Sequence, residues 1–228
     1  MTQIEIADLS RIYTVGGLTI KAVDHASLKI EKGDFLSIVG HSGSGKTTFL
    51  SMIGGIIRPT SGSILFNGND IGLLDDDHLS GYRNEKIGFM FQFASLLPIL
   101  TAKENVLLPG LFHPHQNPHQ NKEDETRAIE FLSMVGLGDR VDSYPNQLSG
   151  GQQRRVAIAR ALINDPEVIL ADEPTGDLDE ETEAEIMELF KRLNREKQIT
   201  FILITHNLHL AEQASRRLRM SQGVVKEL

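Results

Sequence analysis

Apolar positions in this chain fall into two patterns. Ile4-Glu5-Ile6 and Ala26-Ser27-Leu28-Lys29-Ile30 alternate with a period of two, as half-buried strands do. Val15-Gly16-Gly17-Leu18 between them predicts a hairpin tip, so the N-terminal segment reads as short strands with polar turns. Phe35-Leu36-Ser37-Ile38-Val39, Ile87-Gly88-Phe89-Met90-Phe91, Val168-Ile169-Leu170-Ala171 and Phe201-Ile202-Leu203-Ile204 are instead compact apolar runs, which predict buried strands. Ser63-Ile64-Leu65-Phe66 predicts a strand running into the turn Asn67-Gly68-Asn69-Asp70, and Arg58-Pro59-Thr60-Ser61-Gly62 is expected to end the helix before it. From about residue 95 to 143 the period becomes helical, with Ala128, Ile129, Leu132, Val135 and Leu137 near 3.6 spacing. The last third predicts strand 167–171, helix 180–196, strand 199–204, helix 207–215 and a closing strand near Val224-Val225. That alternation implies an α/β fold, a parallel sheet with crossover helices.

Composition narrows the class. A chain of 228 residues with 40% apolar and 24% charged residues suits one large α/β domain, or one with a modest second lobe. The apolar runs fall far short of the roughly 18–20 residues needed to cross a bilayer. The first residues, Met1-Thr2-Gln3-Ile4-Glu5-Ile6, lack the basic-then-apolar layout of a secretory signal. With no cysteine there is neither a disulfide framework nor a thiolate zinc site, and a cytosolic location is compatible with all of this. A net charge of −8 argues against a nucleic-acid partner. The cluster Arg216, Arg217 and Arg219 reads as a solvated helix face or a short salt-bridge network. His113, His115 and His119 stand among prolines without a helical spacing or an acidic or thiol partner, so a surface loop is expected there rather than a metal site.

The chemistry concentrates after the run 35–39. Gly40, His41, Ser42, Gly43, Ser44, Gly45, Lys46 and Thr47, followed by Thr48, form a strand–glycine turn–helix pattern of the G-x-x-x-x-G-K-[ST] kind. Glycines let backbone N–H groups close around phosphates where a Cβ would collide, and the following helix adds its positive end. Lys46 can reach the β- and γ-phosphates of ATP, and the Thr47 hydroxyl is a hard oxygen ligand suited to Mg²⁺. Downstream, the strand 168–171 ends in Asp172 and Glu173. Asp172 fits the residue that holds Mg²⁺ opposite Thr47. Glu173 is expected on the other face by strand alternation, placed to take a proton from an attacking water. Leu148, Ser149, Gly150, Gly151 and Gln152 open a further helix and make a second candidate anion site. Either two copies of the chain pair head to tail and each lends this turn to the other's ATP, or the turn is a C-terminal helix cap or packing turn.

Taken together, these motifs resemble the nucleotide-binding subunit of an ATP-binding cassette (ABC) transporter over essentially the whole chain. In family terms residues 40–47 resemble Walker A, 148–152 the signature motif and 168–173 Walker B. Gln92 resembles the Q-loop glutamine, Thr175-Gly176-Asp177-Leu178-Asp179 the D-loop, His206 the switch histidine and Tyr13 the aromatic that stacks on adenine. Phe91-Gln92-Phe93-Ala94-Ser95-Leu96-Leu97-Pro98, Thr101-Ala102-Lys103-Glu104-Asn105-Val106 and Ala171-Asp172-Glu173-Pro174-Thr175-Gly176 look like the exporter branch of macrolide-export and lipoprotein-release ATPases and the related cell-division cassette. Asp177 departs from it, since this branch commonly has Asn there.

The resemblance implies a P-loop NTPase (RecA-like) core with a parallel sheet, an N-terminal antiparallel β subdomain and an inserted α-helical subdomain. It implies one domain over 1–228, with 1–92 and 160–228 as core plus β subdomain and 93–159 as the helical subdomain. It implies a transport-coupled ATP hydrolase in which two copies sandwich two ATP–Mg²⁺ units. Tyr13, the 40–48 loop and the partner copy's 149–152 turn would bind nucleotide. Thr47, Gln92 and Asp172 would serve the metal, and Glu173, His206, Gln92 and Lys46 the chemistry. The further partner would be a transmembrane permease subunit, docked near 93–98, with the chain peripheral on the cytoplasmic face of the inner (plasma) membrane. The same motifs also suit a cassette powering transmembrane mechanical signalling, such as cell-division wall remodelling. A soluble cassette acting on DNA or ribosomes usually carries two cassettes or a long coiled-coil insertion, and this chain shows neither.

Overall fold

Strands β1 (Thr2–Val15) and β2 (Leu18–Glu31) pair antiparallel around a turn at Gly16 and Gly17, both at positive φ. They run fourteen residues each, where the sequence pattern predicted short strands. The reason is local: Asp8 and His25 adopt φ of 51° and 49°, and register shifts flank Leu9, so the alternation is reset in mid-strand. Bonds from Asp8 N–H to Ser27 Oγ and from His25 N–H to Ser10 Oγ absorb the irregularity. β1 also pairs with β4 (Ser61–Phe66), and β4 turns back into the short β5 (Asn69–Asp70), giving the order β2-β1-β4-β5.

A second sheet carries β3 (Phe35–Val39), β6 (Ile87–Met90), β7 (Val168–Asp172), β8 (Thr200–Ile204), β9 (Arg216–Ser221) and β10 (Val224–Glu227). Its order is β10-β9-β3-β8-β7-β6, parallel except for the β9–β10 hairpin. The apolar runs are unbroken because each face of this sheet has its own core. Val168 and Leu170 of β7 face α1 (Lys46–Ile53) and the first sheet, whereas Ile169 and Ala171 face the helices on the other side. α3 (Ala102–Leu107), α4 (Asn121–Met134), α5 (Gly150–Leu162) and α6 (Glu180–Lys197) supply that second core. The computed structural model describes residues 1–92, 94–112, 121–176 and 178–228, with the side chains of 121 and 122 excepted. Phe93, Asp177 and the histidine loop at 113–119 lie outside the described residues.

Several expectations need correction. The helix after the glycine turn ends at Ile53, not near Arg58: Gly54 packs against Phe89 and Leu170, and Gly55 turns the chain at φ +66°. Phe91 lies beyond β6 and is exposed. Ile129 is exposed, while its four companions on the predicted helix face are buried. α2 (Asp76–Lys86) gives no apolar period, since only Leu79 and Tyr82 are buried on it. The predicted helix 207–215 shrinks to α7 (Leu208–Ala211), and Ser215 is tied to Phe35 of β3 so that β9 starts at Arg216. Arg216, Arg217 and Arg219 therefore sit on a strand, and Arg216 forms the salt-bridge network, with Asp34 and Glu227. Among the described residues no helix is long and apolar enough to cross a membrane.

Candidate functional site

The site grows from the C-terminal edge of the parallel sheet, where β3, β7 and β8 end side by side. After Val39 the chain makes the glycine turn and enters α1. Two glycines have no alternative: a Cβ on Gly40 would lie 2.2 Å from the Met220 carbonyl oxygen, and one on Gly45, at φ +104°, 1.9 Å from that of Ala22. Within the turn Lys46 Nζ donates to the carbonyls of Gly40 (2.7 Å) and His41 (3.0 Å). The Ser44 hydroxyl is buried with no partner in the described structure. A cradle that a side chain would fill, an ammonium and an orphaned buried hydroxyl fit a phosphate chain. His41 and Ser42 are exposed on the rim, and Thr48 follows Thr47 in the first turn of α1.

Thr47 Oγ1 donates to Asp172 Oδ2 at 2.7 Å. Burial pushes the Asp172 carboxyl up and neighbouring Glu173 adds to this, while the Thr47 bond and Lys46 oppose it. A hydroxyl beside a buried carboxylate is a hard-oxygen donor set, which fits Mg²⁺. Gln92 stands exposed beyond β6, and no hydrogen bond joins it to Thr47 or Asp172 among the described residues.

Strand alternation does not aim Glu173. β7 ends at Asp172, and Glu173 adopts φ +49°, held by its N–H to the Ile204 carbonyl and by Gly176 N–H to its own carbonyl. This left-handed turn brings Glu173 Oε2 within 2.9 Å of His206 Nδ1, just past β8. The carboxylate is mostly buried and the imidazole open to solvent. Glu183 of α6 braces both sides: one oxygen accepts from Thr175 Oγ1 and the other from Asn207 Nδ2, each at 3.3 Å.

Tyr13 lies opposite Ile20, two residues toward the hairpin tip from the Ala22 that abuts Gly45. The Arg11 guanidinium stacks on its ring at 4.5 Å. Ser149 caps α5 in a capping box, accepting from Gln152 N–H while Gln152 Oε1 accepts from Ser149 N–H. Ser149 and Gly150 are exposed, and no hydrogen bond joins this turn to the glycine loop of its own chain among the described residues. The turn thus caps the N-terminus of α5 rather than a helix C-terminus, and it faces outward.

Sequence reasoning missed Arg154. It is buried on α5, where Nη1 donates to the Phe91 carbonyl (2.9 Å) and Nη2 to that of Gly176 (3.3 Å). Its only sequence signal is a cation one turn after the cap on a helix otherwise packed through Val156, Ile158 and Ala159. Sequence reasoning also missed a groove of about 510 Å³ beside the sheet edge, lined by Ile56, Phe89, Phe91, Arg83 and Arg160 among others.

Residues 23–176 match the sequence pattern of the family described as ABC transporter. The lipoprotein-releasing system ATP-binding protein of Syntrophus aciditrophicus is 44% identical, covering 97% of this chain and 98% of its own length. The macrolide export ATP-binding/permease protein of Syntrophobacter fumaroxidans is 44% identical over 99% of this chain, which spans 31% of that larger protein. Among solved structures, an ATP-binding cassette of Methanocaldococcus jannaschii, seen as a post-hydrolysis dimer bound to ADP and Pi, superposes with a TM-score of 0.92. It is 42% identical, and the match covers 99% of this chain and 97% of that one.

Proposed function

This chain belongs to the ABC transporter family, and we propose that it is the ATP-hydrolysing subunit that dimerises around two nucleotides to drive a separate membrane permease. The observation that carries this reading is the pair of contacts beside the glycine cradle, Thr47–Asp172 and Glu173–His206. The names of the relatives, a lipoprotein-releasing ATPase and a macrolide exporter, favour export or lipoprotein and lipid extrusion as the work performed. The chain then acts peripherally at the cytoplasmic face of the membrane, beside such a permease; none of its described helices is long and apolar enough to cross the bilayer.

In this reading the 40–48 loop wraps the phosphates, Lys46 leaves its two loop carbonyls for the γ-phosphate, and Tyr13 stacks the base. Thr47 and Asp172 hold Mg²⁺, joined by Gln92, and the ion supplies charge neutralisation on the phosphate oxygens when bound. Glu173 takes a proton from water as its oxygen bonds to the γ-phosphorus. The bond to the β–γ bridging oxygen breaks and ADP keeps that electron pair. His206 steadies Glu173 and the charge on the γ-phosphate. Ser149 and Gly151 of a second copy close over the same phosphate, and loss of the γ-phosphate loosens the pair. Residues 1–92 and 160–228 act as core and β subdomain, and 93–159 as the helical subdomain that relays the change. The groove at Phe89, Phe91, Arg83 and Arg160 abuts Ser95 of the 93–98 region and is the docking place for a permease segment.

Affinity purification of the Glu173→Gln variant from native membranes with ATP is the test. Recovery of a polytopic membrane protein with a dimer of this chain is the expected result, and recovery of ribosomes or DNA instead would refute the reading.

A further inference from the structure

We propose that Arg154 is a positioning residue for ATP hydrolysis. It locks the Gln92 segment and the Glu173 segment to α5, so that both halves of the site follow the helix that presents Ser149. The proposal rests on the functional reading above and adds a residue that reading does not use.

The two chain segments that matter leave regular structure just before their functional residues. β6 ends at Met90, two residues before Gln92, and β7 ends at Asp172, one before Glu173. Arg154 reaches across to both from the second turn of α5. Its bond to Phe91 O holds the peptide that leads into Gln92. Its bond to Gly176 O holds a residue whose N–H, in the preceding peptide, donates to Glu173 O at 3.2 Å. A hydrogen-bonded path thus runs from α5 through Gly176 to Glu173 and on to His206.

A guanidinium suits this task because its donors lie in one rigid plane at fixed spacing, so two carbonyls bound by it are held at a fixed separation. Burying that cation is costly, and an apolar side chain would pack on α5 with less penalty. The cost is incurred where it brings two loop backbones into one frame. The frame belongs to the helix whose exposed N-terminal turn carries Ser149, Gly150 and Gly151. Any tilt of α5 on engaging nucleotide from outside is therefore delivered to Gln92 and to Glu173 together.

The experiment compares wild type, Arg154→Gln, Arg154→Lys and Glu173→Gln in the full chain. It measures equilibrium affinity for ATP, kcat and KM for hydrolysis, and thermal stability. For Arg154→Gln, ATP affinity should stay within about twofold while kcat falls about tenfold or more, the pattern of a lost transition-state arrangement. Arg154→Lys, which keeps the charge and N–H donors but loses the rigid planar fork, should recover part of kcat. A kcat for Arg154→Gln within about twofold of wild type, or a loss of affinity that parallels the loss of kcat, overturns the proposal. If Arg154→Gln does not fold, a folded Arg154→Lys with full kcat overturns it equally. Turnover that survives Glu173→Gln would instead count against the functional reading, and so the two failures are distinguishable.

Discussion

Thr47 Oγ1 donates to Asp172 Oδ2 at 2.7 Å, joining the first turn of α1 to the end of β7 across 125 residues of sequence. Neither group has another hydrogen bond to replace this one among the described residues, so the pair is poised to exchange it for a shared cation. Asp172→Asn should remove the dependence of ATP affinity on Mg²⁺, measured by titration with and without the ion. Thr47→Ala should weaken that dependence less, because a hydroxyl ligand is neutral.

Lys46 already donates to two loop carbonyls, so its ammonium is held over the cradle before any phosphate arrives. Lys46→Ala should lower ATP affinity by about tenfold or more, the scale of a lost charge-assisted hydrogen bond. Unchanged affinity in a fluorescent-nucleotide titration would remove Lys46 from the site.

Glu173 sits in a left-handed turn that glutamine, likewise unbranched at Cβ, occupies at the same strain, so Glu173→Gln changes chemistry and little else. Turnover should fall by about 10²–10⁴, as expected for loss of a general base. ATP-bound dimer should accumulate, read by light scattering. His206→Ala should lower turnover with the Glu173 turn intact.

Away from the site, Glu167 ties the two sheets together by accepting from Gln3 Nε2 and Asn67 Nδ2 and pairing with Lys86. Burial alone would raise its carboxyl, but Lys86, Asn67 and Gln3 together hold it below the usual carboxylate range. A depressed folded value means stability present at neutral pH and lost as pH falls through that value. Glu167→Ala should cost about 1–3 kcal/mol near pH 7, mostly by orphaning buried Gln3. The difference from wild type should shrink on acidification in denaturant titrations.

The parts of this protein legible from sequence are those written in contiguous residues. The runs at 35–39, 168–171 and 200–204 are apolar because cores press on both faces, and the glycine turn declares itself through Gly40 and Gly45, whose Cβ space is taken by backbone. What stayed hidden depends on distant partners or on local geometry that residue identity does not encode. The polar helix α2 buries only Leu79 and Tyr82, and the length of β1 and β2 is masked by irregularities at Asp8 and His25. Alternation predicted the wrong cause for the aim of Glu173, because the strand stops one residue earlier. Arg154 was invisible because the two loops it joins bond to it through main-chain oxygens 63 and 22 residues away.

Glu183 lends one carboxylate oxygen to Thr175 and the other to Asn207, the residues flanking Glu173 and His206. Proton acceptor and histidine thus share a single foothold on α6. A drifting lineage could not re-aim one without disturbing its neighbour, so variants at position 183 should register as paired losses rather than graded tuning.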